Sequence, residues 1–99
     1  MIRVVLPYHL RNLARVEGEL TLDLGETAPT LGQVLDTIEA RHPALRGTIR
    51  DRATLQRRPF VRFYACSEDL SFAKYDTLLP TPIKEGHEPL IIMGAMAGG

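Results

Sequence analysis

The sequence has one cysteine, no tryptophan and no excess of charge of either sign, and each shortage excludes a class of protein. Cys66 stands alone, so an internal disulfide framework is excluded. Twelve Lys+Arg against twelve Asp+Glu give zero formal charge, which argues against a nucleic-acid surface and against attraction to anionic membranes. No apolar run approaches the roughly 20 residues needed to cross a bilayer. We therefore expect protein partners, with no nucleic acid and no membrane among them.

The start and the length of the chain indicate its compartment and its size. The apolar opening stops at Pro7, too early for the apolar part of a signal peptide, so we expect a cytoplasmic protein. The 99 residues, 44% of them hydrophobic, fit one domain with one core, which we place over residues 1–93. Because a domain of this size has a limited interior, we expect no deep enclosed pocket.

Strands are predicted where residues alternate or are rich in β-branched and aromatic side chains. Residues 2–6 are rich in β-branched side chains, and residues 17–24 alternate leucine with polar residues, as in a strand with one buried face. Residues 60–65 predict a third strand, followed by a turn over residues 66–69. Residues 90–93 are apolar at every position. They form either a central strand covered on both sides or a strand with one face awaiting a partner.

One main helix is predicted between these strands. Thr30 and Gln33 form a capping box, in which each side chain satisfies a free amide at the helix start. The helix ends near Arg41, because His42 precedes Pro43 and a residue before proline is disfavoured in a helix. Apolar residues then share one helix face at positions Leu31, Val34, Leu35 and Ile38.

The remaining segments are predicted as loops. Residues 8–16 are a connector of undefined structure, residues 44–52 add at most a short helical turn, and residues 70–84 are irregular. Residues 50–58 hold four arginines against one aspartate with no apolar period, which predicts a solvated loop. The predicted elements follow the order of the β-grasp fold: strand, strand, helix, strand, irregular crossover and strand. We expect an α+β domain with a mixed sheet of four to five strands and one main helix on one face.

The chain ends in a tail of small residues. Residues 94–99 contain three glycines, no charge and no large branched side chain, so we expect a flexible tail. Glycine suits a carboxylate that an enzyme must activate, since it has no side chain to hinder attack. A terminal Gly98-Gly99 also arises by chance in roughly 0.5% of chains, so an ordinary frayed terminus is the alternative.

These segments together resemble a known family. The matching features are residues 2–6, the helix over residues 31–38, the turn over residues 82–88 and the final Gly98-Gly99. The chain resembles the prokaryotic ubiquitin-like sulfur carriers, which include the small subunit of molybdopterin synthase and the thiamine sulfur carrier. Residues 58–64 and 68–72 look most similar to the carrier that serves cysteine biosynthesis.

The resemblance implies a carrier and not an enzyme. A ubiquitin-activating-type adenylyltransferase would use ATP and Mg to adenylate Gly99, and a sulfur donor would convert it to a thiocarboxylate for a sulfur-accepting biosynthetic enzyme. Nothing would be bound by the carrier itself. The residues that would thread the partner's channel are Gly94, Ala95, Met96, Ala97 and Gly98. The implied docking surface consists of Phe60, Arg62, Tyr64, Leu90 and Ile92.

Other residues are weighed against simpler explanations. Cys66 as a sulfur-relay thiol is less favoured than a small buried hydrophobe. His9, His42 and His87 lack the spacing of metal ligands, so no metal site is expected. Two other functions stay open: a protein modifier joined to lysines through Gly99, and a non-covalent β-grasp interaction module.

Overall fold

The computed structural model describes residues 1–25 and 28–94, and in these it has five strands in one sheet. Along the chain they are β1 (Ile2–Val5), β2 (Leu20–Leu22), β3 (Val61–Ala65), β4 (Glu68–Asp69) and β5 (Leu90–Gly94). Their spatial order is β2-β1-β5-β3-β4, so β5 is the central strand. It runs parallel to β1 and antiparallel to β3, and the sheet is therefore mixed.

Three α-helices and a short 3₁₀ helix connect the strands in this part of the chain. They are α1 (Tyr8–Ala14), α2 (Leu31–Arg41), the 3₁₀ helix Pro43–Leu45 and α3 (Thr81–Lys84). The predicted capping box of α2 is confirmed: the Gln33 amide donates to Thr30 Oγ1 at 3.1 Å, and the Thr30 amide donates to Gln33 Oε1 at 2.8 Å. The predicted end at Arg41 is also confirmed.

One core joins α2 to the inner face of the sheet. Side chains that alternate along β1, β3 and β5 pack against the apolar face of α2, as the two periods of 2 and 3.6 residues require. The members with almost no exposed surface include Val4, Leu31, Val34, Leu35, Ile38, Phe63, Leu90 and Ile92. The α+β class, the mixed sheet and the main helix on one face are confirmed.

Several boundaries differ from the predictions for local reasons. The strand predicted over residues 17–24 is only Leu20–Leu22, since Gly18 has φ +76° before it and Asp23 accepts a hydrogen bond from the Gly25 amide after it. The connector over residues 8–16 contains α1, whose first turn closes on the Pro7 carbonyl. The segment over residues 70–84, predicted as irregular, ends in α3.

Within the described residues, no helix combines the length and the apolar character that crossing a membrane requires.

Candidate partner-docking surface and C-terminal exit

The chain leaves the sheet at the C-terminal end of the central strand β5. Gly94 is still part of β5 and lies opposite Val61 of β3, so the strand extends one residue beyond the predicted residues 90–93. Ala95 to Gly99 lie outside the described residues. The roles predicted for Gly99 and for the rest of the tail therefore stay predictions.

The outer face of β3 and β5 is not covered by the helix. Arg62 lies opposite Met93 and Tyr64 lies opposite Ile91, so these four side chains share one face. Met93 is 52% exposed, whereas Arg62, Tyr64 and Ile91 are half-buried. We call this set of four residues the open face. It combines apolar contact area with an arginine and a tyrosine, a composition common in protein interfaces.

Phe60 extends the open face to the point where β5 ends. It directly precedes β3 and is 59% exposed. Together with Pro7, Gly94 and three residues of the open face it lines a shallow groove of about 500 Å³. The groove lining is mainly apolar and includes Gly94, the last described residue of the chain.

The docking residues predicted in β5 are wrong. Leu90 and Ile92 are 0% and 1% exposed and belong to the core, while Ile91 and Met93 between and after them reach the open face. Because residues 90–93 are all apolar, their sequence alone carries no signal for which alternate pair faces outward. The pairing with β3 decides it. Phe60, Arg62 and Tyr64 lie on the accessible side, and their docking role stays a prediction.

The structure adds residues near the exit that the sequence reasoning missed. Pro7 lines the groove, and His9 on α1 lies beside Gly94: a Cβ added to Gly94 would be 3.5 Å from His9 Cε1. The signal for α1 was Leu10 and Ala14, spaced four residues apart after a proline. Seven residues make only about two helical turns, too few to establish a period.

The arginine-rich loop is only partly solvated, contrary to the prediction. Arg50 is 3% exposed, and its guanidinium donates to Asp36 at 2.8 Å and to Glu39 at 2.8 and 2.9 Å. Burial by itself lowers the pKa of Arg50, but the hydrogen bonds to Glu39 and Asp36 outweigh it and the net pKa is raised. Arg57 donates to the carbonyls of Ser71 at 2.7 Å and Val61 at 2.6 Å. These two arginines anchor the loop to the domain.

The remaining predicted residues lie apart from the exit. Cys66 is exposed in a two-residue turn with Ser67 at the far end of β3, so its prediction as a buried hydrophobe is wrong. His87 is exposed and lies 3.8 Å from Glu85. In residues 1–25 and 28–94, no three His, Cys, Asp or Glu side chains gather in a way that suits a metal ion. The geometry thus offers a contact surface next to a chain exit.

Comparisons with known proteins support the fold. No protein-family model and no curated protein matches the sequence. Among solved structures, the fold is similar to SAMP1 from Haloferax volcanii, with a TM-score of 0.73 and 18% identity over 99% of this chain and 98% of that one. It is also similar to the Amycolatopsis orientalis BexX/CysO complex, with a TM-score of 0.73, 22% identity and 100% of both chains covered.

A third structure extends the same likeness. CysO from Mycobacterium tuberculosis has a TM-score of 0.71 and 21% identity, over 97% of this chain and 100% of that chain. At such identities the similarity establishes the fold. The predicted resemblance to the ubiquitin-like carriers and modifiers is therefore confirmed in the architecture, and the domain has the β-grasp, ubiquitin-like fold over the length of the chain.

Proposed function

We propose that this chain is a ubiquitin-like sulfur carrier. Its Gly99 carboxylate is adenylated by a ubiquitin-activating-type adenylyltransferase and then converted to a thiocarboxylate. The thiocarboxylate delivers sulfur to a biosynthetic enzyme of the cysteine, molybdopterin or thiamine type. In this proposal the chain supplies no catalytic group, the partner binds the ATP and Mg, and both work in the cytosol.

The observation that carries the proposal is the position of β5. The central strand of the sheet runs to the end of the described chain beside an uncovered groove, and the sequence continues from there to Gly98-Gly99. The five residues after Gly94 can reach at most about 18 Å. A partner that acts on Gly99 must therefore lie close to Gly94, where the groove provides the nearest apolar surface.

The chemistry divides between the chain and its partner. An oxygen of the Gly99 carboxylate attacks the α-phosphorus of ATP, pyrophosphate leaves, and an acyl adenylate forms. A sulfur nucleophile from the donor then attacks the acyl carbon, and AMP leaves with the C–O bonding electrons. The contribution of the carrier is to hold the tail next to the docking surface, which makes the reaction effectively intramolecular within the complex.

The test of the carrier chemistry is sulfur on Gly99. The Cys66→Ser chain is incubated with the adenylyltransferase of the same organism, MgATP and sulfide, and is then alkylated and weighed intact. Removing the exposed Cys66 thiol is necessary because an alkylated cysteine and an alkylated thiocarboxylate would otherwise be confused. We expect one alkylated product that requires ATP. Its absence, or its survival when Gly99 is deleted, would contradict the proposal.

A matched pair of variants tests the docking role of the open face. Met93 and Leu78 are both exposed apolar residues, but only Met93 lines the groove. Met93→Glu is expected to reduce adenylation at least about tenfold, because a charge is placed in an apolar contact. Leu78→Glu is expected to leave adenylation within about twofold, as for a surface residue outside the interface. Equal effects would place the docking surface elsewhere.

A protein modifier is the second candidate, and the likeness to SAMP1, titled small archaeal modifier protein 1 in a second solved structure, favours weighing it. In that case Gly99 forms an isopeptide bond with a lysine of another protein. The last cleavage site for trypsin is Lys84, so a conjugate digested with trypsin would carry residues 85–99 on the modified lysine. Detecting that branched peptide in native cells would support modification, and its dependence on Gly99 is the control.

A further inference from the structure

The chain is neutral as a whole, but its charges are distributed unevenly along the sequence. Residues 8–16 and 41–62 together contain nine of the twelve Lys+Arg residues and only one of the twelve Asp+Glu residues, Asp51. Their basic members are Arg11, Arg15, Arg41, Arg46, Arg50, Arg52, Arg57, Arg58 and Arg62. Zero net charge therefore conceals two basic segments and an acidic remainder.

The fold brings part of each basic segment, helix α1 and the residues around Arg58 to Arg62, to one end of the sheet. Because β1 and β5 are parallel, the segment after β1, which forms α1, leaves from the same edge as the end of β5. Residues 46–60 return the chain to the same edge, since Val61 at the start of β3 lies opposite Gly94. Helix α1 also packs against the 3₁₀ helix Pro43–Leu45. The basic end and the exit of the C-terminal tail coincide.

Two cavities meet at Gly94 and show which charges face the exit. The groove of about 500 Å³ is lined on its polar side by Arg62. A second cavity of about 410 Å³, on the other side of Phe60, is lined by His9 and Arg58. No carboxylate lines either cavity among the residues that the structure describes. The chain therefore leaves the sheet between cationic side chains with an apolar centre.

Internal ion pairs account for some of these arginines but not for Arg58. Arg50 is paired with Asp36 and Glu39. The charge of Arg58 acts on Asp51, whose Oδ1 accepts hydrogen bonds from the amides of Thr54 and Ala53 at 2.9 Å each. Those bonds are the main reason that the pKa of Asp51 is lowered, and Arg58 contributes least. Arg58 is exposed and thus accessible to a partner.

Arg62, like Arg58, lies near a carboxylate that accepts a hydrogen bond from the backbone of its own turn. Its guanidinium lies 5.6 Å from the ring centroid of Phe72, and the nearby carboxylate of Asp69 accepts a hydrogen bond from the Ser71 amide at 2.8 Å. Both carboxylates near the basic end thus stabilise turns of their own backbone. Neither Arg58 nor Arg62 forms a salt bridge with any residue that the structure describes.

We propose that the partner that receives the C-terminal tail surrounds its channel entrance with carboxylates, which pair with Arg58 and Arg62, around an apolar centre that contacts Phe60 and Met93. This inference rests on the proposed function and specifies the chemistry of the partner surface. A protein is favoured over nucleic acid because the two cations flank an apolar groove. Complementary charges of this kind act mainly on association rate and selectivity.

The test compares two charge reversals of equal size. Arg58→Glu changes the basic end, and Lys84→Glu on α3 changes the opposite end of the sheet, where Gly86 contacts the Met1 carbonyl. The KM of the adenylyltransferase of the same organism for each chain is measured over a range of NaCl concentrations. We expect Arg58→Glu to raise the KM at least about tenfold at low salt and to flatten its salt dependence. Lys84→Glu should stay within about twofold of the wild type.

Three outcomes separate this inference from the proposed function. Binding of the Gly99-deleted chain to the same enzyme is measured in parallel, because binding does not need the carboxylate chemistry. If adenylation responds equally to both charge reversals, or does not respond to salt, the proposal of an acidic entrance is wrong. The proposed carrier function is then unaffected. Salt-dependent binding without adenylation overturns the carrier function alone. No binding at all overturns both.

Three controls protect this interpretation. Arg58→Gln removes the charge without adding repulsion towards Asp51, and it should give a smaller increase in KM in the same direction. Thermal unfolding of each variant verifies that the fold is retained. A single-stranded DNA oligonucleotide is titrated against the wild type under the same conditions. Binding of that oligonucleotide more tightly than the enzyme would overturn the assignment to an acidic protein.

Discussion

The two faces of the sheet are built from alternate residues of the same strands, yet the residues that the structure describes cover only one of them. On the covered face, Phe63, Leu90 and Ile92 are at most 1% exposed beneath α2. On the open face, Ile91 is half-buried and Met93 is 52% exposed. The covered face contributes to the stability of the domain, whereas the open face provides contact area for another protein. Substitutions on β5 should therefore fall into two classes, according to whether the residue faces the core or the open face.

The largest effect should distinguish the two faces at adjacent residues. Ile92→Ala removes a buried side chain from the core and is expected to lower the free energy of unfolding by about 3 kcal/mol. Met93→Ala should lower it by no more than about 0.5 kcal/mol, because its side chain is half in solvent. Urea unfolding of both variants measures the difference. Similar losses would mean that the open face is packed in the folded protein.

Two glycines, Gly86 before β5 and Gly94 at its last position, extend the comparison from side chains to the backbone. Gly86 has φ +81°, and a Cβ there would lie 2.6 Å from the Met1 carbonyl oxygen, so Gly86→Ala should cost about 2 to 3 kcal/mol. A Cβ on Gly94 would make ordinary contacts with His9 and Pro7. Gly94→Ala should change stability by less than about 0.5 kcal/mol. Thermal unfolding of the two variants decides between these expectations.

A third pair compares a covered charge with an exposed one. Arg50→Met leaves Glu39, which is 12% exposed, without its partner, and we expect a loss of about 2 kcal/mol. That value is below the range for a fully buried pair because Asp36 is 68% exposed and solvent screens it. Arg52→Met, on the same loop but exposed, should be nearly neutral. Chemical denaturation provides the measurement, and a neutral Arg50→Met variant would contradict the anchoring role of Arg50.

The smallest effect is expected at the turn between β3 and β4, where a substitution should raise stability without changing docking. Cys66 and Ser67 join β3 to β4 with φ 52° and 66°, as in the hairpin turn that prefers Asn-Gly. Replacing them with Asn and Gly should raise the free energy of unfolding by about 1 kcal/mol. The turn lies at the far end of β3 from Gly94, so adenylation should be unaffected. The melting temperature and the KM of the adenylyltransferase are the two readouts, and a changed KM would link the turn to docking.

Local signals explain which elements could be predicted. Helix α2 follows from the Thr30–Gln33 capping box and four apolar residues on one face, all within nine positions. Strand β3 follows from its aromatic and β-branched residues. Helix α1 could not be predicted, because it is short and is stabilised by packing against the 3₁₀ helix Pro43–Leu45, which is distant in sequence.

The residues of the candidate site also divide into those that the sequence could predict and those that it could not. The open side of β3 was predictable, since Arg62 and Tyr64 alternate with Val61 and Phe63. The outward pair on β5 was not, because residues 90–93 are uniformly apolar and only the pairing of Arg62 with Met93 assigns their faces. Likewise, the burial of Arg50 depends on two carboxylates of α2, which are 11 and 14 residues away in the sequence.

By itself, the amino-acid sequence determined helix α2, the strands β1, β2, β3 and β5, and a C-terminal tail of small residues with a terminal glycine pair, because each depends on neighbours within a few positions. The turn predicted over residues 66–69 contains β4 instead. The tertiary structure alone decided which face of β5 is open and that Arg58 and Arg62 lie where the chain leaves the sheet. Those features arise from contacts between residues far apart in the sequence. The balance of charge in the composition therefore concealed a basic exit that only the parallel pairing of β1 with β5 brings together.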